Sequence, residues 1–306
     1  MERDFLSIDD LTPDELHHLL ELGQKVKASP GDYANRLSGL SIALVFEKPS
    51  TRTRLSFEVG VAQLGAHPLV ISGADLQLGR GETIEDTGRV FSRYVDAIAL
   101  RTFGQERLEA LAEAASVPVV NALSDFEHPC QVLADLMTIR EQRGDLAGVS
   151  LAYLGDGNNV AHSLLLGGAK AGMHLRVGTP PGYEPIPQVV ERAEEMAKET
   201  GGSVTVTSDP VEATVGVDVL YTDVWASMGQ ESESADRALV CPAYRIDRAA
   251  VERAAPDAIV MHCLPAHRGD EITDEVIDGP HSVVWDQAEN RLHTQKALLL
   301  WLLGRA

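Results

Sequence analysis

The chain has 306 residues, enough for two ordinary domains, and a 44% hydrophobic fraction that can furnish real cores. Its 46 acidic against 26 basic residues leave a formal net charge of −20, which repels nucleic acid and anionic membranes. No apolar run reaches the roughly 18 residues that span a bilayer, and the charged start MERDFLSIDD has no signal-peptide core, so a cytoplasmic protein is expected.

The first predicted helix opens at LTPDE (11–15), with Thr12 as N-cap, Pro13 in the first turn and Glu15 completing a capping box. Leu11 and Leu16 can form the hydrophobic staple beside it. SIALVF (41–46) reads as a strand and hands over to an amphipathic helix from about residue 51. Further strands are expected at HPLVI (67–71), DAIALR (96–101) and VPVV (117–120), with helical stretches between them. A helix from about His128 to Arg140 runs into the polar, glycine-containing EQRGDLAGVS (141–150), where a domain boundary is placed. The alternation then restarts with VSLAYLG, NVAHSLLLGGAKAG, MHLRVGT, a helix near 187–200, GSVTVT, VDVLYTD, AIVMHCL and the strand-like SVVWD. A long amphipathic segment, QAENRLHTQKALLLWLLG (287–304), closes the chain. Such alternation predicts an α/β fold with mainly parallel sheets.

Several stretches could carry chemistry. EKPSTRTRLSFE (47–58) puts Ser50, Thr51, Arg52, Thr53 and Arg54 where a strand meets a helix. Free backbone N–H groups, hydroxyls and a guanidinium fork at that point suit a phosphate, although capped helices with surface arginines also look like this. The stretch is not the glycine-rich loop that binds nucleoside triphosphates. EHPCQ (127–131) starts another helix with His128 and Gln131, and Arg101 ends a strand in IALRTFG. YLGDGNNVAHS (153–163) invites a dinucleotide reading, but the third glycine of that pattern falls on Val160 and the next strand offers no acidic partner. Asn158 and Asn159 there could recognise a carboxylate or an amine, or simply cap the helix. YTDVWASMGQE (221–231) places Asp223 at a strand end before a small-residue turn. MHCLPAHRGDE (261–271) places Cys263 between His262 and the more distant His267. Neighbours along a strand point to opposite faces, so His262 is not expected to activate Cys263. ENRLH (289–293) opens the last helix with Arg291.

As a set, STRTR, HPCQ, DVWASMG and HCLP resemble the aspartate/ornithine carbamoyltransferase family, and its ornithine branch in particular, in the same order and over nearly the whole chain. The resemblance implies two doubly wound α/β domains: 1–143 for carbamoyl phosphate, with the C-terminal helix 290–306 packing back on it, and 144–289 for ornithine. It implies terminal helices that pack across the domain boundary, a homotrimer or multiple of trimers with sites at subunit interfaces, and no cofactor or metal. It implies that Ser50, Thr51, Arg52 and Thr53 hold the phosphate. Arg101, His128, Gln131 and Arg291 would face the carbamoyl phosphate, with Gln77 reaching it from a neighbouring subunit. Cys263 and Leu264 would also face the carbamoyl phosphate, beside the reacting centre, and Asn159, Asp223, Ser227 and Met228 would hold L-ornithine. Arg52, Arg101, His128, Asp223 and Cys263 would be the catalytic set. The implied reaction gives L-citrulline and phosphate; a carbamoyltransferase for putrescine or aspartate, a nucleotide-dependent oxidoreductase and a non-catalytic sensor are the rivals.

The three cysteines, Cys130, Cys241 and Cys263, have neither zinc-site spacing nor the look of a disulfide framework. An acidic surface poor in lysine fits adaptation to high salt, where counterions screen self-repulsion. The melting temperature is therefore expected to rise from low to molar KCl; greater stability without salt would contradict a salt-adapted surface.

Overall fold

The computed structural model describes residues 3–73, 81–225 and 241–306. It comprises two compact units, Met1–Met137 with Asn290–Ala306, and Thr138–Glu289. No helix among the described residues is long and apolar enough to cross a membrane.

In the first unit, β1 (Ser41–Phe46), β2 (His67–Ser72), β3 (Ala97–Arg101) and β4 (Val119–Leu123) form a parallel sheet in the order β2-β1-β3-β4. Its helices are α1 (Pro13–Ala28), α2 (Pro30–Tyr33), α3 (Thr51–Gln63), α4 (Ile84–Phe91), α5 (Gln105–Ala114) and the start of α6 (Pro129–Arg143). The middle strands are near-continuous apolar runs, as parallel strands covered on both faces must be. Ala43, Val45, Ile98 and Leu100 of those strands pack with Leu108 and Leu111 of α5 in one core. The predicted capping box holds: Thr12 Oγ1 accepts from the Glu15 N–H, and the Glu15 carboxylate accepts from the Thr12 N–H at 2.8 Å. Leu11 and Leu16 are both buried beside it.

Strand β4 begins later than VPVV suggests and runs on through Asn121 and Ala122. Pro118 has no N–H to give a ladder. Asn121 is tolerated in the strand because its Nδ2 donates to the Leu6 carbonyl (2.8 Å) and its N–H to the Phe5 carbonyl (2.8 Å).

In the second unit, β5 (Ser150–Leu154), β6 (His174–Gly178), β7 (Ser203–Thr207), β8 (Val219–Thr222) and β9 (Ile259–His262) form a parallel sheet in the order β7-β6-β5-β8-β9. Its helices are α7 (Asn159–Lys170), α8 (Pro187–Thr200), α9 (Pro210–Thr214), α10 (Arg248–Arg253) and α11 (Asp274–Ile277). Every residue of α7 is buried, which explains its near-absence of charge. Helix α6 ends at Arg143, so the polar stretch 141–150 begins inside it.

SVVWD is not a strand. Ser282 makes only an isolated bridge to Val260, and the last helix, α12 (Val284–Leu302), has already begun. A short apolar run does not distinguish a strand from a buried first turn. Asp286 in that turn suits the positive end of a helix.

The GDGNN turn is closed to a dinucleotide. Gly155 uses a left-handed φ of +137° to leave β5. A Cβ on Gly157 would meet the Pro185 nitrogen at 2.2 Å, and the Gly157 N–H donates to the Tyr183 carbonyl at 2.8 Å. The glycine there admits the chain's own backbone, where the dinucleotide pattern needs room for a pyrophosphate. The Ile186 N–H anchors the same segment on His162 Nε2 (3.1 Å). Gly157→Ala should accordingly cost roughly 1–3 kcal/mol of stability, the usual cost of overpacking. Urea unfolding checks it; an unchanged midpoint would show that the 183–186 segment yields freely.

Candidate active site

In the first sheet the chain leaves β1 toward β2 and later returns to β3 on the other side. The crevice beyond the carboxyl ends of β1 and β3 is thus a topological switch point, where open α/β sheets hold ligands. Ser50, just past β1, is the N-cap of α3, and its Oγ accepts from the Thr53 N–H at 3.3 Å. Thr51 and Arg52 stand exposed on the first turn, whereas Thr53 is buried. Lys48 steadies the turn through an ion pair to Asp125, its ammonium 4.4 Å from the Phe103 ring centroid. Arg54 does not join the ligand side: its Nε donates to Glu58 Oε2 at 3.2 Å, one helical turn on.

Arg101 is buried at the end of β3, and His128 is buried just before α6. Burial pushes the His128 imidazole well below its ordinary 6.5, and the charges of Arg291, Arg101 and Arg52 push it further. The charges of three guanidiniums thus reach an imidazole that is neutral at pH 7, with one N–H donor and one acceptor nitrogen. The neighbouring Glu127 is buried and accepts from Ser7 Oγ (2.5 Å) and the Ile8 N–H (3.2 Å), which fixes the approach to His128.

Arg291 comes from α12. Its Nη1 donates to Gln131 Oε1 (2.6 Å) and its Nη2 to Thr53 Oγ1 (3.2 Å). Gln131 Nε2 donates to Asp135 Oδ1 (2.8 Å), so the amide is held with its oxygen toward the arginines. Two further polar side chains of this helix are partnered: Lys27 Nζ donates to Asn290 Oδ1 (2.8 Å) and Lys296 Nζ to Gln63 Oε1 (3.0 Å). Beside α3 lies an open cleft of about 1160 Å³, lined in part by Ser50, Thr51, Arg54, Leu55, Phe103 and Arg107.

The second sheet repeats the geometry. Strand β5 lies between β6 and β8, and the switch point falls at the ends of β5 and β8. Asn158 caps α7 by accepting from the Val160 (2.9 Å) and Ala161 (3.2 Å) N–H groups, while its Nδ2 donates to Asp223 Oδ2 at 2.9 Å. Asp223 Oδ1 accepts from the Val224 N–H and from Cys263 Sγ, each at 2.8 Å. Asn159, the first residue of α7, is buried, and Leu264 follows Cys263 in the left-handed region at φ +58°. Gln77, Ser227 and Met228 lie outside the described residues.

Asp223, His262 and Cys263 bring oxygen, nitrogen and sulfur donors within 4.8 Å of one another. Those are donor types that zinc accepts. Both Cys263 Sγ and His262 Nδ1 are engaged with protein groups, the latter accepting from the Leu264 N–H at 2.8 Å. His267 is exposed and does not join the group. Cys130 is a packing residue: burial raises its thiol to about 12, and its Sγ donates to the Asn121 carbonyl at 3.3 Å.

Three supporting residues carry weaker sequence signals than the motifs they serve. Asn158 is legible as an N-cap, and Asp135 as the residue one helical turn beyond Gln131. Glu271, whose partner His262 is nine residues earlier, has no local signature.

Two family models cover the chain. The carbamoyl-P binding domain of aspartate/ornithine carbamoyltransferase matches residues 3–141, and the Asp/Orn binding domain matches 147–302. The ornithine carbamoyltransferase of Parafrankia sp. (strain EAN1pec) is 65% identical over 304 residues, covering 98% of this chain and 96% of its own. That of Rhodococcus opacus (strain B4) is 58% identical with the same coverage. Among solved structures, ornithine carbamoyltransferase from Pyrococcus furiosus superposes with a TM-score of 0.96 at 53% identity, covering 99% of this chain and 97% of its own. The Thermus thermophilus enzyme gives 0.89 at 43% identity, covering 98% of each chain. Matches of this extent, spanning both units and their site loops, place the chain in the aspartate/ornithine carbamoyltransferase family.

Proposed function

We propose that the protein transfers the carbamoyl group of carbamoyl phosphate to the side-chain amine of L-ornithine, giving L-citrulline and phosphate. The observation that carries this reading is the gathering of Arg52, Arg101 and Arg291 around neutral His128, at the switch point of a family member's first sheet. The phosphate would lie on the α3 N-terminus with Ser50, Thr51, Arg52 and Thr53, where dipole and guanidinium both favour a dianion. Gln131 would accept from the carbamoyl amide, and Arg101, His128 and Thr53 would donate to its oxygen. In this reading residues 1–143 with 290–306 serve carbamoyl phosphate and 144–289 serve ornithine.

Asn159, Asp223, Ser227 and Met228 would hold ornithine, with Cys263 and Leu264 against the carbamoyl phosphate where the two substrates meet. The amine has a solution pKa near ~10.4 and is mostly protonated at pH 7. Asp223 and Cys263 would orient it and take up its proton, and desolvation favours the neutral form. The amine nitrogen then attacks the carbamoyl carbon, a C–N bond forms, the C–O bond to phosphate breaks, and the surplus proton on that nitrogen leaves with the phosphate. Charge building on the carbamoyl oxygen meets the Arg101, His128 and Thr53 donors, while Arg52 and the helix end stabilise the leaving phosphate. Holding both substrates in line accounts for much of the remaining gain.

The same reading includes a cytoplasmic homotrimer. The cleft beside α3 supports it, since Leu55 and Phe103 are 55% and 48% exposed there, an apolar edge suited to a second copy that brings Gln77. The closed GDGNN turn speaks against the oxidoreductase rival.

A colorimetric citrulline assay with both substrates tests the reading; no citrulline from folded protein would refute it, and faster turnover of putrescine would redirect it. Arg52→Gly should lower kcat by at least ~10². Cys263→Ala should raise the ornithine KM or slow turnover by about tenfold while leaving carbamoyl phosphate binding largely intact. His128 has a folded pKa below its unfolded value, so its stability contribution is present above 6.5 and is lost as pH falls toward the folded value. Between pH 6.5 and 5 the protein should therefore lose up to about 2 kcal/mol that a His128→Gln variant keeps. Urea titrations at both pH values check this.

A further inference from the structure

We infer that Glu127 and Ser7 are positioning residues for His128, so that the N-terminal segment 4–10 helps present this imidazole to the carbamoyl group; this rests on the reading above. Glu127 immediately precedes His128 and has 0% exposure. Its carboxylate reaches the start of the chain: Ser7 Oγ donates to Oε1 (2.5 Å) and the Ile8 N–H to Oε2 (3.2 Å). The serine hydroxyl is itself oriented, since its oxygen accepts from the Asp9 N–H at 3.0 Å and its hydrogen is left for the carboxylate. The Ser7 N–H in turn donates to Asp10 Oδ2 at 2.9 Å.

The register of that segment is set by the first sheet. Phe5 makes a parallel bridge to Val120, its N–H donating to the Val119 carbonyl and its carbonyl accepting from the Asn121 N–H, both at 2.8 Å. Asp4 Oδ1 accepts from the Val119 N–H at 2.8 Å, and Phe5 and Ile8 are wholly buried. Because the two stretches run parallel, Ser7, two residues on, is carried toward the carboxyl end of β4, where the loop 124–128 begins. That loop is closed on itself: the Ser124 N–H donates to the Glu127 carbonyl (2.9 Å) and the Glu127 N–H to Ser124 Oγ (3.1 Å). On its other side the His128 carbonyl accepts from the Gln131 (3.0 Å) and Val132 (3.3 Å) N–H groups at the start of α6. His128 therefore stands between a helix start and a loop tethered through Glu127. Burying a carboxylate is costly, and one beside an imidazole favours the imidazolium that this site avoids. What Glu127 supplies is direction: it ties the residue before His128 to a register that β4 dictates.

The test separates this tether from the general order of the N-terminal turn. Ser7→Ala removes the donor to Glu127 Oε1, and Ser7→Thr puts a hydroxyl back. Asp10→Ala loosens the same turn by removing the acceptor of the Leu6 and Ser7 N–H groups, and leaves both Glu127 bonds in place. Steady-state kinetics on both substrates and calorimetric titration of carbamoyl phosphate are run on the full chain of each variant. For Ser7→Ala kcat should fall on the order of tenfold, a part of what outright loss of an oxyanion donor costs. The carbamoyl phosphate dissociation constant should rise by less than kcat falls, since His128 is one of several groups on that ligand and its donation strengthens as charge builds on the oxygen. The ornithine KM should stay within about twofold, because Asn159 and Asp223 belong to the second unit. Ser7→Thr should recover most of the lost kcat, and Asp10→Ala should not reproduce the loss. An unchanged kcat in Ser7→Ala, a Ser7→Thr no better than Ser7→Ala, or an equal loss in Asp10→Ala would each overturn the inference. If Ser7→Ala does not fold, Glu127→Leu against Glu127→Gln, which keeps an acceptor for the Ile8 N–H, makes the same comparison under the same criteria. A wild-type protein that makes no citrulline would refute the activity itself, whereas an active wild type with an insensitive Ser7→Ala refutes only the positioning role.

Discussion

Holding positive charge out of water at the mouth of the first sheet is the constraint from which the rest of that unit follows. Arg101 and Arg291 are only 4% and 5% exposed. Two of the bonds Arg291 makes go to the neutral oxygens of Gln131 and Thr53. Burying cations is costly unless something answers them. Here His128 gives up its own proton, Gln131 is held oxygen-forward by Asp135, and the α3 N-terminus adds further positive potential. A site assembled at that cost is matched to an anion, and within a chain of net charge −20 it offers a focused attraction that the surface does not.

The second unit presents the opposite electrostatics on the same architecture. Its switch point gathers a carboxylate, Asp223, with donors from Asn158, Val224 and Cys263 arranged around it. Both units place their chemistry where the chain's winding reverses, because strand ends there diverge and leave a crevice that neither neighbouring connection covers. One crevice suits a dianion and the other an amine.

Local signals were strong wherever a single element satisfied its own needs. Thr12 and Glu15 announced α1 because a capping box lies within one turn of chain. SIALVF and AIALR announced buried strands because both faces are covered. Signals weakened where a partner distant in sequence decided the outcome. VPVV stops short of Asn121, which stands in β4 with its hydrogen bonds taken by the Phe5 and Leu6 carbonyls. SVVWD reads as a strand and becomes the start of α12, since β9 offers it a single bridge. GDGNN reads as an opening for a ligand and is filled by the 183–186 backbone.

The sequence by itself determined the α/β class, the parallel sheets, the motifs of both sites and, through their combination, the family. Those features are written in residue order: periodicity, caps and spacing act over a few residues. Only the tertiary structure decided which side chains answer one another. It delivered Arg291 to Thr53 across 238 positions, depressed His128 through burial and then through three arginines from separate segments, and set Glu271 behind the Cys263 turn. Charge, desolvation and hydrogen bonding depend on distance in space, and the fold alone converts separations along the chain into ångströms.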